Sequence, residues 1–187
     1  MARDPNQAVT SREKIMRAAI KEFSEVGYHE AKISHIVANA GFSQRTFYIY
    51  YENKEAIYKE IIEYWKNGLI SLFSINHNDV DHKKAIEKRW EEIFKFMYEN
   101  PECTKAIYLH NPFIEEIRQE LFLSLKQIMT WEQDNGLMRK NICIDVLVES
   151  HLSIFEGLAI RYLLKGKADY IFLAKQLSAI FIAGGTP

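Results

Sequence analysis

With 187 residues, the chain is longer than a typical domain and shorter than two full ones, so a single compact unit and a small module joined to a larger one are both open. Its composition, 48% hydrophobic, 13% aromatic and 26% charged, is too apolar for a disordered chain and too interrupted by charge for a membrane protein. Lys+Arg 24 against Asp+Glu 25 leaves a formal net charge of -1, so no global positive excess advertises nucleic acid, and such a partner must be met locally.

The start, Met1-Ala2-Arg3-Asp4-Pro5-Asn6-Gln7, lacks the apolar stretch of a signal peptide, and no later segment reaches the roughly 18 uncharged apolar residues of a spanning helix. The expectation is a cytoplasmic protein with no membrane partner. Four prolines and eight glycines leave long stretches without breakers, and the apolar residues recur at helical spacing, which predicts an all-α fold. Ser11 is placed to cap a first helix whose stripe is Ile15, Ala19, Phe23 and Val26, with Gly27 as its stop. Ile33, Ile36, Val37 and Ala40 form a second, short helix closed by Gly41, and Phe47 and Tyr51 anchor a third. A long helix, capped by Asn53, runs to about Ile75 and links two parts. The polar run Asn76 to His82 is a connection. Further helices are expected from about His82 to Asn100, Glu102 to Leu109, Pro112 to Asn135, Cys143 to Lys165 and Ala168 to Ala183. Cys103 and Cys143 share no metal-type spacing and are expected as small, reduced core residues.

The last two helices point apolar side chains in almost every direction, which predicts burial against the chain's own core on one side and a second subunit on the other. Leu158, Gly157, Leu177 and Phe181 are the expected homodimer interface, with Gly157 where two backbones approach closely.

The segment from Ala31 to Tyr51 reads as helix, tight turn, helix. Ser43 is placed to cap the third helix through the Thr46 amide, which puts Gln44, Arg45 and Thr46 in its first turn, the end that such proteins insert into the major groove. Between Ala31 and Tyr51 the only charged side chains are Lys32 and Arg45, so this stretch of a balanced chain presents positive charge alone. Arg45 can donate two hydrogen bonds to guanine O6 and N7, and Gln44 can read adenine. Tyr48 and Tyr50 can offer hydroxyls to phosphate, with packing as the plain alternative, above all for Tyr50. Lys32 and Lys54 sit near helix N-termini, where the macrodipole disfavours a cation and a phosphate would relieve the misfit.

Gly27-Tyr28, Ile33, Ile36, Ala40-Gly41-Phe42-Ser43, Thr46-Phe47-Tyr48-Ile49-Tyr50-Tyr51 and Asn53-Lys54-Glu55, preceded by Ile15, Ala18, Ala19 and Phe23, resemble the N-terminal domain of the tetracycline-repressor (TetR) family over roughly residues 10 to 60. The resemblance implies a three-helix DNA-binding domain (residues 8–68, helix-turn-helix about 32–51) followed by a helical effector-binding and dimerisation domain (69–187), working as a homodimer on a palindromic operator. It also implies that Ser43, Gln44 and Arg45 read bases, that Thr46, Tyr48, Tyr50 and Lys54 hold phosphates, and that Phe47 and Tyr51 anchor the core. Two positions depart from the pattern. Ala31-Lys32 stands where Thr or Ser usually caps the second helix, and Lys32 can replace that contact by charge. Tyr51 stands where Phe is usual and adds a hydroxyl needing a partner.

The combined expectation is a repressor released from its operator by an unidentified small apolar effector, with no enzyme activity and no cofactor. Trp90, Phe94, Tyr108, Phe122, Trp131 and Phe155, with His110 or His151 as a polar contact, are the candidate effector pocket, core packing being the default alternative. A different class, a metal protein or enzyme, would rest on His77, Asp79, Asp81 and His82. That spacing is loose, and polar residues between helices are more often caps.

Overall fold

The computed structural model describes residues 10–73, 81–109 and 111–185. These residues are helical, with no strand among them. The helices are α1 (Ser11–Glu30), α2 (Ile33–Ala40), α3 (Gln44–Tyr50), α4 (Lys54–Phe73), α5 (His82–Glu99), α6 (Pro101–Tyr108), α7 (Ile114–Asp134), α8 (Ile144–Leu158) and α9 (Tyr170–Gly185). The chain divides into two compact units: Met1–Tyr64 with Glu102–Pro112, and Trp65–Pro101 with Phe113–Pro187. The division falls at Tyr64, within α4, and α6 belongs almost wholly to the first unit.

In the first unit α1 begins one residue earlier than the sequence suggests. Thr10, not Ser11, is the N-cap. Its hydroxyl accepts from the Glu13 amide at 3.2 Å while its own amide donates to the Glu13 carboxylate at 3.0 Å, a reciprocal pairing that satisfies two otherwise orphaned donors. Gly27 interrupts the helix at the expected place, its backbone non-helical with φ 79°, a conformation that favours glycine, and a short further stretch of helix follows to Glu30. Val26, expected on the stripe, is 45% exposed and not part of it. The buried stripe is Ile15, Ala18, Ala19, Glu22 and Phe23. It packs with Ile36, Val37, Phe47, Ile57, Tyr58, Ile61 and, from α6, Cys103, Ala106 and Ile107, all buried. The Tyr58 ring lies 4.6 Å from Phe23 and its hydroxyl donates to the Ala106 carbonyl at 2.7 Å, so this buried phenol is satisfied. Cys103 is a core thiol as expected, its pKa pushed up to about 12 by burial, whereas Cys143 is exposed just before α8.

The second unit is built on α5 and α9, which run antiparallel: Trp90 stands 6.2 Å from Phe181 and Tyr98 stands 5.5 Å from Tyr170. Val148, Leu152 and Phe155 of α8 and Leu121, Leu125 and Met129 of α7 complete the core. A salt bridge is buried within it, Arg89 to Glu132 at 2.6 Å. Arg118 of α7 holds Glu156 at 2.6 Å and also Glu149 on α8. Burial pushes Glu156 up to about 7, against the Arg118 charge that lowers it.

Two expected interface residues belong to this core. Leu177 is fully buried and Phe181 is 6% exposed, Phe181 lying against Trp90 of α5 and stacking on His151 of α8 at 3.3 Å. Leu158 and Gly157 are half-buried, and a side chain at Gly157 would meet nothing within 4 Å. The single helix expected from Cys143 to Lys165 ends at Leu158 and passes into a π-helical turn, Ala159–Leu163.

Candidate nucleic-acid interface

The turn between α2 and α3 is built by two residues with defined jobs. Gly41 is left-handed (φ 75°); its amide donates to Ala38 and the next amide, Phe42, donates back to Val37 at 2.8 Å, the hydrogen-bond pattern that closes a helix on glycine. Ser43 then starts α3 as expected, its hydroxyl accepting from the Thr46 amide at 3.3 Å. Seven residues follow, of which only Phe47 is buried, fully so. With Phe47 facing inward, the remaining face of α3 is turned to solvent. Gln44 and Arg45 are exposed, Thr46 is half-buried, and Tyr48 and Tyr50 are exposed, at 55% and 40%. Ile49 is 71% exposed, and sequence reasoning passed over it. The signal was available: an isoleucine between two outward tyrosines on a helix whose anchor is at 47 must itself face out.

Tyr51, which ends α3, is buried with its ring 5.5 Å from Phe47. The hydroxyl that distinguishes it from phenylalanine lies beside the Glu60 carboxylate; burial first, and then the Glu60 charge and a hydrogen bond to it, push its pKa up to about 12. It stays a neutral phenol. Arg12 lies over its ring at 5.6 Å and pairs with Glu60 at 2.6 Å.

Two of the expected phosphate contacts differ in their surroundings. Lys32 is exposed at the N-cap of α2 with no side-chain cap of its own, so its ammonium faces solvent. Lys54 does not. Its ammonium donates to the carbonyls of Tyr28 (2.7 Å), His29 (3.0 Å) and Ala31 (3.0 Å) and lies 4.7 Å from the Tyr28 ring centre. All three N–H groups close the C-terminal end of α1, where orphaned carbonyls and the dipole favour a cation. A phosphate contact by Lys54 would require giving one of them up; here it is a structural cap. The start of α4 is capped separately by Asn53, whose side chain accepts from the Ala56 amide at 2.8 Å.

Of the candidate effector residues, Trp90, Phe94, His151 and Phe155 come together in the second unit, with ring centres 5.7–6.3 Å apart. They are buried and joined by Phe181. His151 donates from Nδ1 to the Leu147 carbonyl at 2.7 Å, and burial pushes its pKa down to about 4, so it is neutral in the core. Trp131, 39% exposed, and Phe122, half-buried under Lys126, are not in this cluster. Tyr108 belongs to the first unit. His110 lies outside the described residues, as do His77 and Asp79 of the metal alternative. Asp81 serves as the N-cap of α5, accepting from the Lys84 amide at 3.2 Å, and that amide's hydrogen bond is the main cause holding its carboxyl below the usual range. No group of three potential metal ligands occurs among the described residues.

A capped two-turn helix carried on a glycine turn, anchored by one aromatic residue and exposing polar and basic side chains, defines the chain as a helix-turn-helix DNA-binding regulator. Comparison with known proteins gives the family. Residues 15–61 match the family model of bacterial regulatory proteins, tetR family. The chain is 31% identical over 187 residues to the HTH-type transcriptional regulator YdgC of Bacillus subtilis, covering 97% of this chain and 96% of that one. It is 28% identical over 124 residues, 66% of this chain and 65% of the relative, to the negative transcriptional regulator IcaR of the Staphylococcus epidermidis biofilm operon icaADBC. Among solved structures, the fatty acid degradation regulator FadR of Bacillus halodurans superposes with a TM-score of 0.75 at 18% identity, over 92% of this chain and 98% of that one. The chain belongs to the tetR family of bacterial transcriptional regulators. Regulators of this family bind DNA and act as dimers. No helix among the described residues is long and apolar enough to cross a membrane.

Proposed function

We propose that the chain is a cytoplasmic dimeric repressor that reads a palindromic operator with α3 and releases it when a small apolar effector binds. The observation that carries this reading is the exposure of Gln44 and Arg45 in the first turn of a helix whose opposite face is locked down by Phe47. In that position Arg45 can reach guanine O6 and N7 and Gln44 adenine N6 and N7, and Ile49 adds an apolar surface for a thymine methyl. Ser43, Thr46, Tyr48, Tyr50 and Lys32 supply the phosphate and sugar contacts that fix register. Lys54 supports them by holding the end of α1 in place. The second unit offers the dimer face through outward apolar residues of α8 and α9, Val146 (60% exposed), Ile171, Phe172 and Ile180, in place of Leu177 and Phe181. Open space at Gly157 on the same helix leaves room for a partner backbone.

The aromatic cluster of Trp90, Phe94, Phe155 and neutral His151 supports an effector that is apolar with one group able to meet an imidazole. Release then requires that the effector prefer a protein state with lower operator affinity, and operator must weaken effector binding by the same factor. The experiment is enrichment of duplexes from a random pool by the purified protein. Enriched sequences forming an inverted repeat, with half-site centres about 10 bp or a multiple of that apart, are expected. Absence of any enrichment overturns the reading.

A further inference from the structure

Glu22 is a carboxylate on the buried stripe of α1, seven residues after Ile15 and one before Phe23, and it is 5% exposed. Apolar residues occupy the neighbouring stripe positions, so packing alone would favour leucine here. A buried carboxylate is tolerated only when hydrogen-bonded, and the partners of Glu22 lie on another helix. Its Oε1 accepts from the Lys32 backbone amide at 3.3 Å and from His35 Nδ1 at 3.1 Å. Lys32 is the N-cap of α2 and His35 its third helical residue. These are the two positions linked by a capping box, as Thr10 and Glu13 are at α1. In α2 neither residue can supply that link: Lys32 has no acceptor, His35 no carboxylate, and the first turn contains no acidic residue. α1, α3 and α4 are capped by their own Thr10, Ser43 and Asn53.

We infer that Glu22 is a positioning residue for DNA binding: α1 lends α2 the cap it lacks, and this cross-helix carboxylate fixes the start of α2 and, through the Gly41 turn, the placement of α3. The inference rests on the reading of α3 as the DNA-contacting helix. It also explains how the chain tolerates Lys32 where a capping hydroxyl is usual in the family, leaving the Lys32 ammonium free to face solvent. The negative charge sits at the N-terminus of α2, where the dipole favours it.

A positioning role and a stability role predict different outcomes for Glu22→Leu. Replacing a buried charge by a well-packed apolar residue is often neutral or stabilising, so the unfolding midpoint is expected to hold or rise. Amide exchange at residues 33–36 is expected to quicken, and affinity for a duplex enriched from a random pool by the parent protein to fall about fivefold or more, the scale of a lost helix cap. In the Lys32→Thr background, which gives α2 a cap of its own, the fold-loss caused by Glu22→Leu shrinks by at least half. Glu22→Gln, nearly isosteric and still an acceptor, gives an intermediate loss and carries the test if Glu22→Leu does not fold. Exchange and affinity within twofold of the parent, or a loss undiminished in the Lys32→Thr background, overturn the inference. If the parent enriches no duplex, it is the DNA reading that fails, and exchange at residues 33–36 still decides whether Glu22 caps α2.

Discussion

Truncating Phe47 to alanine tests whether α3 is held by a single anchor. α3 has seven residues, too few to be stable alone, since isolated helices under about 12 residues are marginal in water. Fixing seven residues costs on the order of 10 kcal/mol of backbone entropy, and the Ser43 cap and internal hydrogen bonds offset only part of it. Phe47 is the one residue of α3 with no exposed surface, and its removal is expected to cost about 3–5 kcal/mol. Most of that cost falls on the docking of α3, so the duplex must reorder the helix on binding. Affinity is then expected to fall about 100- to 1,000-fold, at about 1.4 kcal/mol per tenfold. Phe47→Leu, which keeps most of the volume, is expected to lose tenfold or less. Fluorescence anisotropy with an enriched duplex at fixed salt measures the loss, and amide exchange over residues 44–50 reports the local loosening directly. Binding by Phe47→Ala within threefold of the parent would refute the single-anchor reasoning.

Tyr48→Phe removes a hydroxyl proposed to meet phosphate and should weaken all duplexes about equally, without changing their rank order; competition among variant duplexes checks this. Val146→Glu or Phe172→Glu should give monomers by sedimentation with the fold retained, whereas Leu177→Glu should unfold the second unit, because Leu177 is fully buried in it and a lone charge there has no partner. His151 has a folded pKa of about 4, below its ordinary 6.5, because burial disfavours the imidazolium. The unfolded chain therefore binds the extra proton first, so the contribution of His151 is intact above pH 6.5 and lost as pH falls towards 4, at most about 3 kcal/mol. Thermal unfolding from pH 7 to 4 should show a flatter acid limb for His151→Phe. Glu156, raised to about 7, acts in the opposite sense, its contribution being lost as pH rises from 4.5 through 7, and it offsets part of the slope unless mutated as well.

What could be read from the sequence was set by local chemistry. Gly41, Ser43 and Phe47 determine the turn, the cap and the anchor of α3 within seven residues of chain, and all three appear in the structure as their side chains dictate. Periodicity also identified the apolar faces of α8 and α9. It could not assign them: Leu177 and Val146 are both apolar at helical spacing, and only tertiary packing decides that the first is buried while the second meets solvent. Lys54 carries a role that the sequence did not disclose, for a related reason. A cation near one helix N-terminus suggests phosphate until the fold brings the carbonyls of Tyr28, His29 and Ala31, more than twenty residues upstream, into its reach. Glu22 was passed over in the sequence, because its partners at Lys32 and His35 exist only once α1 and α2 are packed.

The most direct test of the central claim is the base specificity of Arg45→Ala. Affinities are measured at constant salt for a panel of duplexes varied one base pair at a time through an enriched inverted repeat. If Arg45 reads a base edge, its loss removes about 1–3 kcal/mol of discrimination at one base pair per half-site and leaves preference at the other positions unchanged. A variant that keeps the parent's preference at every position would contradict the assignment of α3 as the reading helix through Arg45.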